Sequence, residues 1–414
     1  MSSNPLFIGG TARGGTNLAI MMLSVHPDVS LSQDPFLPLY KSFNNALLSV
    51  NGLEKYDLRS PIDEYYYFPE KLKKMKLLQN SNLNLPFSDD LEELKIVIAE
   101  RMRLSSPLLI PHLDQFKGHN YNSLFDSALK IVKMGRNDES LKWLGFNDNW
   151  SSEFFAPIAR TYNNAKFISI IRDVRGAIAS HVKLIEAEHT NLQYQKNKGD
   201  ASMLALNISF ARCWRKHVAF SYHYQMSELL KDRILIIKYE DLVKDPQKET
   251  IKMCEFLDID YFEEMIDTNF FVGQDGGKWL PNSNQENAPQ SGIFTSSIDK
   301  WKSTLENDLL DLIEFITGPD LEMCGYETLK SFSSEMISNA YQKHKSEHEN
   351  WIEGGWGWRT DNHNPELDIS FELLRRATIE NKSNDKDLME LMILFPELLD
   401  QLHKSNTKKW KKYD

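Results

Sequence analysis

Cysteine is scarce in this chain. Three occur in 414 residues, Cys213, Cys254 and Cys324, widely separated and odd in number. They form neither a disulfide framework nor a metal-ligand spacing, so they read as buried reduced thiols of a cytoplasmic protein. Long apolar runs are also missing: nothing approaches the ~20 residues of a membrane span. The stretch from Leu18 to Leu23 follows a glycine turn, lacks a small-residue cleavage pattern and leads into His26-Pro27-Asp28. It therefore reads as an internal helix and not as a signal peptide. Positive charge is in short supply, with 48 Lys and Arg against 59 Asp and Glu and a net charge of −11. That balance excludes a general binder of nucleic acid or anionic membranes. There is no internal repeat and no low-complexity tract.

What remains is an ordinary soluble composition, 41% hydrophobic and 26% charged, with length enough for a large core. Short, nearly continuous apolar runs recur at Leu6–Ile8, Phe167–Ile171 and Ile234–Ile237, as expected of parallel strands buried on both faces. Helical patterns lie between them, at Leu91–Met102, Tyr121–Met134 and about Ala201–Leu230. This alternation predicts an α/β fold: a P-loop-like, doubly wound parallel sheet flanked by helices. The polar stretch from Gly273 to Gly292 is too long for a simple connector and is expected to be a lid. Composition changes near residue 330, which divides the chain into a domain over 1–330 and a helical C-terminal appendage over 331–414.

The most informative segment is Phe7-Ile8-Gly9-Gly10-Thr11-Ala12-Arg13-Gly14-Gly15-Thr16-Asn17, a strand running into a glycine-rich turn before a helix. Such a junction is an anion site, because backbone N–H groups and the positive helix end face one point. The nucleotide-hydrolase loop would end in Gly-Lys-Ser/Thr. Here Gly15-Thr16-Asn17 stands there, with the cation earlier at Arg13. The turn suits a phosphate or sulfate group but not ordinary ATP chemistry.

Three further constellations carry chemistry. In Phe167–Arg175 a buried strand delivers Arg172 to its carboxyl end, and Ser180 follows ~2 helical turns later, so both can clamp one anion; a surface Arg172–Asp173 pair is the plainer reading. Asp34 follows the first helix and can return beside the anion turn, where partial desolvation would raise its pKa and suit it to act as a general base. An Asp before a Pro is also a common turn residue, and His26 and His181 compete as bases. Tyr239, after the strand Ile234–Lys238, can pack on a purine ring or simply edge the core.

Taken together, these segments resemble the sulfotransferase family that uses 3′-phosphoadenosine 5′-phosphosulfate (PAPS). The resemblance runs over about residues 5–330, in order. It rests on Arg13-Gly14-Gly15-Thr16-Asn17, His26-Pro27-Asp28, Arg172-Asp173-Val174-Arg175 with Ser180, Tyr239-Glu240-Asp241-Leu242 with Asp245-Pro246, Asn282-Ser283, Ser296-Ser297-Ile298-Asp299-Lys300-Trp301 and Cys324-Gly325-Tyr326. It implies that the 5′-phosphosulfate is held by the backbone of Gly14 and Gly15 and the side chains of Arg13, Thr16 and Asn17. Arg172 and Ser180 then take the 3′-phosphate, Tyr239 lies near the adenine, and Lys300 joins the cofactor-binding set. Asp34 becomes the base, as in the tyrosylprotein and carbohydrate branches, with Arg13 and Ser283 stabilising the leaving group. The implied reaction is in-line sulfuryl transfer to a hydroxyl or amine of a small-molecule or carbohydrate acceptor, with no metal.

The sequence departs from the family in two places. Gly14 stands where Ser is usual, and Asn147, in Gly145-Phe146-Asn147, stands where many relatives carry a Lys. A cation lost there would have to be offset by Arg13, Lys142 or Lys278. Two alternatives stay open: a non-catalytic relative that binds the nucleotide, and a phosphoryl-transfer enzyme of kinase type. The Trp351, Trp356 and Trp358 cluster can stack on an acceptor ring or pack structurally. No nucleic-acid or membrane partner is expected, a homodimer is left open, and the expected location is cytoplasmic.

Overall fold

The structure is a computed structural model. It describes residues 3–53, 55, 58, 69–136, 141–189, 203–279, 292–328, 336–337, 365–382 and 385–406. Five parallel strands form one sheet: β1 (Asn4–Gly10), β2 (Val29–Gln33), β3 (Trp143–Asn147), β4 (Lys166–Ile171) and β5 (Ile234–Lys238), in the order β2-β3-β1-β4-β5. The predicted α/β sheet is therefore present, and β1, β4 and β5 are the three apolar runs read from the sequence. The other two strands gave no such signal. β2 reads Val-Ser-Leu-Ser-Gln, and its Ser30 and Ser32 are buried; β3 is interrupted by Gly145 and ends on Asn147.

Side-chain alternation sorts the two faces. In the parallel register Phe7 sits beside Phe146 and Phe167, so one face is aromatic. Phe7 meets Phe146 edge-on at 5.3 Å, and Phe36 and Tyr40 pack on Phe146 at 4.9 and 6.2 Å. Phe36 precedes helix α2 (Leu37–Val50), and Tyr40 lies in its first turn. Helix α5 (Tyr121–Arg136) adds Phe125 to the same cluster. The opposite face is aliphatic: Leu6, Ile8, Leu31, Ile168 and Ile170 form one core with Ala19, Ile20 and Leu23 of α1 (Thr16–Ser24). Met253 and Leu257 of α10 (Pro246–Leu257) close it. Helices on both faces of a parallel sheet are the doubly wound arrangement. The chain leaves β1 toward β2 and leaves β4 toward β5, in opposite directions, which makes their carboxyl ends the topological switch point.

The chain separates into two compact units. The first, Met1–Ile62, Lys76–Ile171 and Tyr224–Thr295, holds the whole sheet. The second comprises Asp63–Met75, Arg172–His223 and Ser296–Asp414. It contains α7 (Val174–His189), most of α8 (Met203–Met226), α11 (Trp301–Thr304), α12 (Asn307–Met323) and the helices Pro365–Glu380, Lys386–Ile393 and Leu399–Asn406. Its core is ionic as well as apolar. Buried Glu372 pairs with Arg215, with Arg375 at 3.3 Å and with Arg376 at 3.1 Å, and Arg375 also reaches Asp320 at 2.7 Å. These pairs tie the helix Pro365–Glu380 to α8 and α12. Cys213, Cys254 and Cys324 are all buried thiols. No described helix is long and apolar enough to cross a membrane.

Candidate active site

The carboxyl ends of β2, β3 and β1 bring three loops of the first unit together. β1 runs into the Thr11–Gly15 turn, and α1 starts at Thr16 with Gly15 as its N-cap and no capping side chain. The Leu18 N–H turns back to the Gly15 carbonyl at 3.1 Å, and no side chain caps the N–H groups of Thr16 and Asn17 ahead of it, the condition for holding an anion. Gly15 is left-handed, at φ 96°, and a Cβ placed on it would lie 2.2 Å from the Tyr239 ring. That contact makes a side chain at 15 incompatible with the observed turn. Gly14 acts differently, its N–H donating to the Thr11 carbonyl at 2.9 Å and closing the turn. Arg13 is also left-handed, at φ 58°, and Thr16 is buried against Gly10.

Asp34 stands at the end of β2, 5% exposed and at φ 48°. Its carboxylate is bound on both oxygens by Asn149, whose backbone N–H donates to Oδ1 at 2.7 Å and whose carboxamide donates to Oδ2 at 2.5 Å. Arg101, on α4 (Leu91–Ser105), lies 3.4 Å from Oδ2 and also donates to the Asp34 carbonyl at 3.1 Å. The Asp34 N–H reaches the Asn147 carbonyl at 2.9 Å and its side-chain Oδ1 at 3.2 Å. On the other side of the same loop, the Trp150 N–H donates to the Gly10 carbonyl at 2.9 Å. The loop after β3 thus bridges the Asp34 turn to the end of β1.

Arg13, Asp34 and Trp150 are all non-glycine residues held at positive φ, in the three loops at this edge. Such conformations cost energy and persist where the surroundings over-determine them, as at functional sites. Asp148 adds a second carboxylate. It is fully buried, and both its oxygens accept from the Phe36 N–H at 3.2 Å. Burial pushes the Asp34 carboxyl above its ordinary range, with the Arg101 charge pulling the other way. Burial, and then the negative charge of Asp34, push Asp148 well above that range.

Several expected residues lie elsewhere. His26 precedes β2, at the amino end of the strand whose carboxyl end carries Asp34; its ring packs on Phe262 at 5.1 Å and its Nδ1 accepts from the Asp28 N–H. It is not placed to act as the base. Burial moreover lowers its pKa. Lys142 sits at the start of β3 and pairs with Asp258 at 2.7 Å, so it cannot offset a missing cation at Asn147. The cation that does reach Asp34 is Arg101, which nothing in the sequence marked: it belongs to an amphipathic helix far along the chain. Lys278 is exposed on the turn that bridges Val272 to Lys278. Asn282 and Ser283, most of the expected lid, and Trp351, Trp356 and Trp358 lie outside the described residues.

The remaining anion-binding candidates belong to the second unit. Arg172 is the residue after β4; its carbonyl accepts from the Trp214 indole at 2.7 Å, and its guanidinium donates to the Ser297 carbonyl at 3.2 Å. Ser180 lies on α7, as does His181, whose ring packs on Phe210 at 5.3 Å. Lys300 caps α11. Arg175 is a structural partner: it binds Asp173 at 2.6 Å, pairs with Glu314 and stacks on Trp301 at 4.1 Å. The Arg-Asp-Val-Arg and Lys-Trp stretches therefore meet through the Arg175 guanidinium on the Trp301 ring.

Residues 5–264 match the family model described as "Sulfotransferase family", which is more than half of the chain. The chain belongs to the sulfotransferase family. It is 22% identical over 328 residues to "Protein-tyrosine sulfotransferase" of Drosophila melanogaster, covering 78% of this chain and 51% of that protein. It is 21% identical over 189 residues to "Carbohydrate sulfotransferase 3" of Tetronarce californica, covering 43% of this chain and 40% of that one. The chain thus spans about half, or less, of the length of these two relatives. Among solved structures, the "Sulfotransferase Domain from the Synechococcus PCC 7002 Olefin Synthase" is 18% identical with a TM-score of 0.43, covering 79% of this chain and 97% of that one.

Proposed function

We propose that this chain transfers a sulfuryl group from PAPS to an acceptor hydroxyl, with Asp34 as general base. The observation that carries the reading is the buried Asp34 carboxylate, oriented by Asn149 and Arg101 in a loop cluster shared with the glycine turn. The nucleotide, when bound, supplies the sulfuryl group on a good phosphate leaving group. The turn fits such a group: its helix end has uncapped N–H donors, its glycine at 15 cannot be replaced without meeting Tyr239, and Arg13 adds a cation.

In this reading the acceptor oxygen forms its bond to sulfur as the sulfur–bridging-oxygen bond breaks. Asp34 takes the acceptor proton, and 3′-phosphoadenosine 5′-phosphate (PAP) leaves. Asn149 fixes the carboxylate in one orientation, the positioning that makes general-base catalysis effective. Arg13 and the N–H groups at the start of α1 balance charge building on the leaving oxygen. Gly14 serves the turn's shape, while Gly15, Thr16 and Asn17 line the cradle. Arg172, Ser180 and Lys300 take the 3′-phosphate of the nucleotide, and Tyr239, which packs over the turn at Gly15, takes the adenine. Ser283 contributes at the leaving group, and the proposed location is cytoplasmic.

The test is a screen of hydroxyl and amine acceptors with isotopically labelled PAPS, read as a mass shift on the acceptor. Tight PAP binding without transfer to any acceptor would favour a nucleotide-binding relative. Transfer that requires ATP and Mg²⁺ would favour a kinase.

A further inference from the structure

Three carboxamides surround the Asp34 turn, and each is only half used. Asn147 is fully buried; its Oδ1 accepts from the Asp34 N–H at 3.2 Å, and its Nδ2 has no partner among the described residues. Asn149 gives its Nδ2 to Asp34 at 2.5 Å, and its buried Oδ1 has no such partner. Gln274 accepts at Oε1 from the Gln33 N–H and the Ser106 hydroxyl, both at 3.3 Å, and its buried Nε2 has none.

The bonds that are made fix which end of each amide is oxygen and which is nitrogen, since an N–H can donate only to oxygen and a carboxylate can only accept. Among the described residues, two amide NH2 groups and one carbonyl acceptor are therefore left over at the end of β2. Buried polar groups are ordinarily paired, and leaving three unpaired around one carboxylate is costly. Among the described residues, the side chains hydrogen-bonded to residues 33 and 34 are Asn147, Asn149, Arg101, Ser105, Ser106 and Gln274.

Resting on the sulfotransferase reading above, we propose that the acceptor is a hydroxyl-rich molecule of carbohydrate type. Its reacting hydroxyl faces Asp34, and its neighbouring hydroxyls pair with Asn147 Nδ2, Gln274 Nε2 and Asn149 Oδ1. A vicinal hydroxyl both donates and accepts, so a sugar edge satisfies all three groups. A phenol brings one hydroxyl, which the reaction consumes, and leaves the amides unpaired. A site built to pair with substrate hydroxyls discriminates strongly against acceptors that lack them.

The test compares kcat/KM of the full chain with PAPS for a panel of mono- and disaccharides, a tyrosine peptide and 4-nitrophenol, with PAP binding measured by calorimetry alongside. The expected result is a preference of ~100-fold or more for a saccharide, comparable to other hydrogen-bond-read specificities. Gln274→Met keeps the side-chain length and removes both polar ends. It is expected to lower kcat/KM for the saccharide ~10-fold or more, as loss of a specific hydrogen bond does, without changing PAP affinity. Transfer to the tyrosine peptide or phenol at an equal or higher rate would overturn the inference and leave sulfuryl transfer standing. Equal loss on all acceptors in Gln274→Met would overturn it too. PAP binding with no acceptor sulfated would remove the proposed function, and the inference with it.

Discussion

Asn149 grips both oxygens of Asp34, with its backbone N–H on Oδ1 at 2.7 Å and its carboxamide on Oδ2 at 2.5 Å. The acid is thus oriented by a residue at the end of the neighbouring strand's loop. In Asn149→Ala the backbone bond persists and the carboxamide bond is lost. Turnover is expected to fall ~10-fold or more, the scale of a misoriented base, while PAP affinity holds. Steady-state rates together with calorimetry check this.

Arg101 sets the working pH. Burial raises the Asp34 pKa and the Arg101 charge lowers it, with burial prevailing. A base must be deprotonated, so activity falls as pH drops through this raised pKa. Arg101→Gln removes the opposing charge and moves the acid limb of the kcat/KM profile to higher pH. An unmoved limb would mean that the limb does not report Asp34.

Asp148 makes the fold less stable as pH rises. Its folded pKa lies well above its unfolded value of ~3.9, so between the two the native state holds a proton that the unfolded chain has released. Its contribution is complete below the unfolded pKa and is lost as pH rises through the folded one. Asp148→Asn is expected to give a shallower decline of Tm with rising pH, measured by thermal unfolding over a pH series.

Gly15 should tolerate no side chain. Gly15→Ala places a Cβ into Tyr239 at a left-handed φ, and a strained residue of this kind costs ~1–3 kcal/mol. A lower Tm, together with weaker PAP binding as the turn shifts, is the expected outcome.

The helix Pro365–Glu380 is expected to be needed for folding of the second unit. Glu372→Ala would remove the carboxylate shared by the buried guanidiniums of Arg215, Arg375 and Arg376, of which Arg375 keeps Asp320, and breaking a buried pair from one side costs ~3–5 kcal/mol. Urea unfolding measures it, and a change under ~1 kcal/mol would show that these pairs act as a surface network does.

How much was legible follows from what each residue has to do. β1, β4 and β5 announce themselves because a strand buried on both faces must be apolar throughout. β2 and β3 did not, since serines in β2 and a glycine and a carboxamide in β3 broke that pattern. The glycine turn was readable because its shape demands glycine at 15. Arg101, Asn149, Asp148 and Gln274 were not singled out, because long-range folding alone brings α4, the loop after β3 and the turn after Phe271 to Asp34. Asp148 and Asn149 flank the departure at Asn147, so that substitution was the nearest available pointer to them. His26 and Lys142 are plausible as isolated residues, but the sheet places them at the amino ends of β2 and β3, away from the carboxyl ends that carry Asp34 and Asn147.

The most direct measurement is sulfuryl transfer by wild type and by Asp34→Asn on one accepted substrate, with PAP affinity measured for both. General-base catalysis by Asp34 predicts a loss of ~10²-fold or more in kcat, the ordinary scale of a removed base, with PAP affinity within about twofold. Turnover by Asp34→Asn at the wild-type rate would contradict it.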